Sequence, residues 1–315
     1  AHTSFLLGSF ASALLLVAIS LPNGLTGTTD CAGIAAALDG AENSPLLLVG
    51  LGLVTAGLAF KIAAVPFHSW APDAYQGASS PVAAFMASGP KAAGLAVIGR
   101  VALEAFEHQA EFMSLILISL AALSILVGSL LALSQTDMKR LLAYSSIAHA
   151  GYALLGLCAG TAEGAAATMT YAFFYVFMTI GAWGVVVALG ERGERLDGYR
   201  GLAAQRPALA AIMLLFLLAL TGIPLTSGFT AKFVVILAAV QAGEVPLALL
   251  AVACSVVSAF IYMRVCVLMY MSDPEDDQVP ATPPRMVTLA LGLAAAVTIV
   301  GGILPGILSE WTVFP

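Results

Sequence analysis

Residues Gly57–Gly77 read "GLAFKIAAVPFHSWAPDAYQG". An apolar run carries a lysine, Lys61, and then gives way to Pro66, His68, Trp70, Pro72 and Asp73. Proline has no backbone N–H and breaks a helix interior. A lysine at the centre of a lone membrane helix costs about 2.5–3.5 kcal/mol on insertion scales. Irregular backbone at membrane depth persists where protein or a water-filled cavity lines it. The lysine and the break therefore predict the same feature, a hydrated pocket inside a helical bundle. A second stretch, "GFTAKFVVILAAV" from Gly228, repeats the spacing, with Gly57 and Lys61 matched by Gly228 and Lys232. That repetition predicts two halves built alike, each with a discontinuous helix.

The rest of the chain places those helices in a bilayer. Its 315 residues are 60% hydrophobic and 10% charged, against about 25% charged for a soluble domain. Apolar runs of about 20 residues recur, each long enough to cross a hydrocarbon core of about 30 Å. The sequence lacks the short alternating segments of a β-barrel. The fold class is an all-α polytopic membrane protein. Nine spans are expected, near 4–21, 45–66, 80–104, 112–134, 138–160, 164–190, 207–240, 246–271 and 286–308. The seventh is too long for one straight helix and contains "LTGIPLTSG", so two half-helices are expected to share one crossing.

Alternate loops segregate charge. One side carries Lys139, Arg140, Arg192, Arg195, Arg200, Arg206 and Arg285. The other carries Arg100 with Asp30, Asp39, Glu42, Glu104, Glu107, Glu111, Glu163 and Glu244. The basic side is cytoplasmic by the positive-inside rule, which puts the C-terminus outside. The net charge of −6 comes with no basic patch, which argues against nucleic acid. Cys31, Cys158, Cys254 and Cys266 stand singly, without the spacing of a disulfide frame, a haem site or an iron–sulfur cluster. The first segment has no basic n-region and no cleavage site, so it reads as a span and not as a signal peptide. The sequence opens at Ala1, directly in a span, and an upstream part of a longer protein is expected.

Four basic residues remain inside spans: Lys61, Lys91, Lys232 and Arg264. Arg264 lies near the cytoplasmic end of its helix, where it can snorkel. Lys91, in "FMASGPKAAGLAVIG", is too deep for that. Lys61 could snorkel from a straight helix, but the break after it argues for the interior. Unpaired, the three lysines would cost roughly 8–10 kcal/mol, comparable to the net stability of a domain. Lysine suits proton transfer because desolvation weakens its hold on the proton and a nearby carboxylate restores it. Moving one charge against 100 mV takes about 2.3 kcal/mol, which making or breaking one such pairing can supply. His68 either lines a water path or caps the break. Asp73 closes a turn after Pro72, and Glu104, Glu107 and Glu111 form a solvated loop. Tyr171, Phe173, Phe174, Tyr175 and Phe177 read as helix packing. No nucleotide loop, flavin motif or metal-ligand set is apparent.

Three segments resemble a known family: "FKIAAVPFHSWAPDAYQGASSPVAAFMASGPKAAG", "DMKRLLAYSSIAHAGYALLGL" and "ALTGIPLTSGFTAKFVV". They look like the antiporter-like membrane subunits of respiratory complex I, NADH:quinone oxidoreductase. "SSIAHAGY" points to the N type, subunit 2 in mitochondria, and the family is related to Mrp-type sodium/proton antiporters. The resemblance implies an antiporter-like helical bundle with inverted repeats and broken helices. This chain would begin at the sixth of fourteen spans and lack the first five. Residues 1–104 would complete a first repeat, broken near 66–79. Residues 105–271 would form a second, broken near 221–228, and 272–315 a C-terminal span.

The resemblance also implies a line of protonatable groups along the membrane midplane. Lys61, Lys91 and Lys232 match its lysines, and His149, in "SSIAHAGY", falls beside them. Lys61 would load, Lys91 and His149 relay, and Lys232 release the proton. A glutamate that pairs with Lys61 in the family would lie upstream of Ala1. The implied activity is proton translocation within NADH:quinone oxidoreductase, with no redox chemistry in this chain. NADH, FMN, iron–sulfur clusters and quinone would belong to partner subunits, and the other membrane subunits and the lipid bilayer would be its partners. The implied location is the bacterial inner membrane. An Mrp-type antiporter subunit and a non-pumping scaffold are the alternatives.

Overall fold

The computed structural model describes residues 2–39, 45–274, 282–304 and 306, all helix, turn or coil apart from one isolated β-bridge, Asp137 to Arg195. Glu42 and the far end of the ninth expected span lie outside the described residues. Thirteen α-helices occur among them. They run as α1 (His2–Thr26), α2 (Cys31–Leu38), α3 (Pro45–Ile62), α4 (Trp70–Gly77), α5 (Ser80–Arg100), α6 (Ala110–Leu133) and α7 (Met138–Leu157). The remainder are α8 (Ala162–Leu189), the one-turn α9 (Leu202–Gln205), α10 (Pro207–Thr221), α11 (Ser227–Gln241), α12 (Val245–Met271) and α13 (Arg285–Ile303).

The helix ends follow local chemistry. Asp137 caps α7 by accepting the Arg140 N–H at 2.9 Å, and Thr161 caps α8 through the Gly164 N–H at 3.0 Å. Prolines open α10 and α12, where the missing N–H costs nothing. Two short helices stand where the sequence predicts only loop or break. Asp30 caps α2 through the Gly33 N–H at 2.9 Å, and α4 occupies the polar run after Pro66.

Six of the described helices are long and apolar enough to cross a membrane, or seven if the pair α1–α2, bent by 49°, counts as one span. The expectation of nine differs at two places, and each has a physical reason. The first is α7, which is not apolar enough because it faces protein. All its residues except Arg140 and Tyr144 are buried, and it packs against α4, α5, α6, α8, α11 and α12. Small residues permit that contact. A Cβ on Gly128 of α6 would sit 2.5 Å from the Ala148 backbone nitrogen. The second is the seventh expected span, which is divided into α10 and α11, each of 15 residues.

The two breaks are built differently. After Ile62 the chain turns through Ala63, at φ 56, and a cis Val65–Pro66 peptide. Ser124 of α6 accepts the Val65 N–H at 2.8 Å, and the Trp70 indole donates to the Phe60 carbonyl at 3.1 Å, so side chains join the backbone N–H groups of Ala63 and Ala64 in holding the end of α3. In the second break Gly222, at φ 91, closes α10 by donating to the carbonyls of Leu218 and Ala219. Leu225 follows at φ 71, a left-handed conformation that costs a branched side chain energy. Only the inner side of each break is buried. Pro66, Ile223, Pro224 and Leu225 are exposed on this chain.

Basic residues gather at one end of the bundle, held there by specific contacts. Lys139, although in the loop-proximal turn of α7, is buried and pairs with Glu194 at 3.0 Å and the Ala78 carbonyl at 2.8 Å. Arg140 pairs with Asp73 at 2.6 Å, so Asp73 forms an ion pair in addition to sitting in the first turn of α4. Arg264 caps the C-terminal end of α6 by donating to the Leu133 and Gln135 carbonyls.

Candidate functional site

Helix α7 gathers three of the four expected residues. Lys91, mid-helix in α5, is 1% exposed. Its ammonium donates to the Ser146 carbonyl at 2.7 Å and to the Ser146 hydroxyl at 2.9 Å. His149 lies one turn further along α7 and is also buried. Its Nδ1 shares a hydrogen bond of 2.6 Å with the Tyr171 hydroxyl of α8. Its ring stacks on Tyr175, with centroids 5.2 Å apart, and the Tyr175 hydroxyl lies beside Ser146 and Thr179.

Tyr152 comes one further turn along α7. Its hydroxyl donates to the Ala251 carbonyl of α12 at 3.1 Å and accepts from the Ser255 hydroxyl at 3.1 Å. Ser146, His149 and Tyr152 are each three residues apart, so they lie along one side of α7. At 1.5 Å per residue the stripe covers about 9 Å of the helix axis.

Lys232 stands at the far end of this stripe. It is 6% exposed and donates to the Thr221 carbonyl at 2.8 Å and to Ser255 at 3.3 Å. Its ammonium also lies 4.4 Å from the centroid of the Tyr152 ring. Thr221 is the last residue of α10, so the lysine of one half-helix caps the C-terminus of the other. The negative end of the α10 dipole and the aromatic face both favour a cation there. The break in the seventh span therefore supplies the carbonyl that holds the lysine.

Lys61 does not join this group. It is exposed, in the last turn of α3. The repeated glycine–lysine spacing does not mean equivalent positions: Lys61 precedes its break, whereas Lys232 follows its own. What the two glycines share is close packing, against Leu15 for Gly57 and the Ala219 carbonyl for Gly228. A nearby carboxylate is the usual means of restoring a buried lysine's hold on its proton. Among the described residues, the ion pairs involve neither Lys91 nor Lys232. Carbonyls, hydroxyls and an aromatic face surround them instead.

Ser146, Tyr152, Tyr171, Tyr175, Thr221 and Ser255 belong to the site, and sequence reasoning missed them or assigned them to packing. "SSIAHAGY" carries the one available signal, polar residues at helical spacing in a segment too polar to face lipid.

Comparison with known proteins agrees with this architecture. The transmembrane family described as NADH:quinone oxidoreductase/Mrp antiporter matches residues 1–261. The NADH-quinone oxidoreductase subunit N of Desulfovibrio desulfuricans is 48% identical over 98% of this chain and 65% of its own length. The chain thus spans less than two thirds of that relative. A chain of respiratory complex I from Thermus thermophilus with bound aureothin superposes with a TM-score of 0.81 at 36% identity, over 96% of this chain and 66% of its own. A chain of the Mrp complex from Dietzia sp. DQ12-45-1b gives 0.85 at 24% identity, over 97% of this chain and 65% of its own, a likeness of fold alone. Breaks, buried lysines and sequence likeness converge: this chain belongs to the NADH:quinone oxidoreductase/Mrp antiporter family of transmembrane subunits.

Proposed function

We propose that this chain is the proton-translocating part of an N-type membrane subunit of NADH:quinone oxidoreductase. The observation that carries the reading is the pair of buried lysines, Lys91 and Lys232, at the two ends of one polar stripe on α7. His149 lies between them, within electrostatic reach of both. In a poorly screened interior, a positive charge on the histidine and one on either lysine repel strongly. A proton arriving at His149 therefore drives the next one off its neighbour, which gives a relay without a mobile carrier. Lys61, on the outer face of α3, is the loading residue, and Lys232 is the releasing one.

Redox chemistry belongs to other subunits in this reading, with NADH, FMN, iron–sulfur clusters and quinone bound there. The partners are the paralogous antiporter-like and small membrane subunits of the complex. Residues 1–104 are the rest of a first inverted repeat, 105–271 are the second, and 272–315 carry a C-terminal span. The membrane is the bacterial inner membrane, with the basic end cytoplasmic and the C-terminus external.

The Mrp-type reading separates from this one by its energy source. Vesicles carrying the assembled complex with the full-length subunit are expected to acidify on NADH addition. A sodium gradient alone is expected to leave their pH unchanged. Acidification driven by sodium without NADH would favour the antiporter, and none under either drive would favour the scaffold. Orientation has a native handle in Cys31, the one partly exposed cysteine, the other three being buried. An impermeant maleimide is expected to label Cys31 from the outside of intact cells and not in inverted vesicles.

A further inference from the structure

We propose that Tyr152 and Ser255 form the hydroxyl bridge over which a proton passes between the His149 region and Lys232. This rests on the relay reading above and adds two residues to it. Among the described residues, the Lys232 ammonium hydrogen-bonds to no ring nitrogen and no carboxylate. The nearest hydroxyl it touches is that of Ser255, at 3.3 Å, and Ser255 in turn meets the Tyr152 hydroxyl at 3.1 Å. Tyr152 leads back to α7, where its ring lies 5.9 Å from that of His149. The same ring faces the ammonium. One side chain thus holds the charge with its face and offers a path with its hydroxyl.

Both hydroxyls have alternatives that let them turn. Ser255 can donate to Tyr152 or to the Ala251 carbonyl, both at 3.1 Å, and Tyr152 also donates to Ala251. A transfer toward Lys232 then balances as a relay. The Tyr152 oxygen receives the proton that the His149 imidazolium gives up and passes its own to Ser255, and Ser255 passes its own to the neutral Lys232 amine. Each oxygen forms one O–H bond and breaks one, no electrons change hands, and Lys232 ends protonated. Rotation of the two hydroxyls resets the bridge. The groups that can titrate around Tyr152 are His149 on its own helix, Tyr171 and Tyr175 on α8, Lys232 on α11, and Cys254 and Tyr262 on α12. None of them supplies a second hydrogen-bonded route from Tyr152 to Lys232 among the described residues.

The test uses the assembled complex with the full-length subunit in inverted vesicles, read as NADH-driven acidification per NADH oxidised. Tyr152→Phe keeps the ring under the ammonium and removes the hydroxyl. Ser255→Ala removes the bridge, and Ser255→Thr restores the hydroxyl at a half-buried position. Tyr152→Phe and Ser255→Ala are expected to slow proton transfer by about tenfold or more, and Ser255→Thr to recover most of the rate. Normal acidification by Ser255→Ala, while Lys232→Ala is defective, would overturn the bridge and leave the relay standing. Failure of Ser255→Thr to recover an assembled but slow complex would also overturn it, since packing would then be the cause. Normal acidification by Lys232→Ala itself would remove the relay and the bridge together. If Tyr152→Phe fails to assemble, the two Ser255 variants decide.

Discussion

Lys232→Ala is expected to give an assembled complex in which proton transfer through this subunit is slowed by about 10²-fold or more, the scale of losing a positioned acid–base group. Assembly is expected to survive because the change removes a costly buried charge. The structural loss is the cap on α10, where Lys232 donates to the Thr221 carbonyl at 2.8 Å. A cation at a helix C-terminus is worth about 0.3–1 kcal/mol, too little to unfold the bundle. Lys232→Arg is expected to assemble and remain defective. Its guanidinium can still cap α10 and lie over the Tyr152 ring, but it keeps its proton at any working pH. Native gels read assembly, and acidification per NADH oxidised reads transfer. Full activity in the arginine variant would show that the position needs charge alone.

Lys91→Ala is expected to have an effect of the same size, and its neighbour Ser146 shows why the lysine itself matters. Lys91 has two acceptors on Ser146, the carbonyl at 2.7 Å and the hydroxyl at 2.9 Å. Ser146→Ala removes one and keeps the other. That variant is expected to lose about two- to tenfold in transfer, the worth of one hydrogen bond. Lys91→Ala removes the proton carrier and is expected to lose far more. Equal losses from the two variants would assign the effect to packing at α5 and α7 and not to the ammonium.

The parts of this site legible in the sequence are those that violate a strong local rule. A charge in an apolar run is conspicuous, which exposes Lys91 and Lys232. Proline and glycine in "LTGIPLTSG" forbid a continuous helix, and α10 does end at Thr221. Hydroxyls violate no rule. Ser146, Tyr152 and Ser255 look like ordinary membrane-helix residues until α7, α11 and α12 are brought together. The polarity of α7 was a signal of burial, because a helix with Lys139, Arg140 and His149 cannot face lipid over its length. Lys61 shows the opposite limit. Its break was legible, but which face of α3 it would occupy depends on neighbours that local spacing does not specify. The spacing shared with Lys232 reflected a packing glycine, and the order of lysine and break is reversed between the two sites.

The central claim is that Lys91 and Lys232 act in series along α7. Acidification per NADH oxidised, measured for Lys91→Ala, Lys232→Ala and the two combined in the assembled complex, tests it most directly. Groups on one path are non-additive, because a path blocked once is not blocked further by a second cut. The account predicts that the double variant is no slower than the slower single one. A double variant whose loss equals the product of the two single losses would contradict it, and would place the two lysines on separate paths.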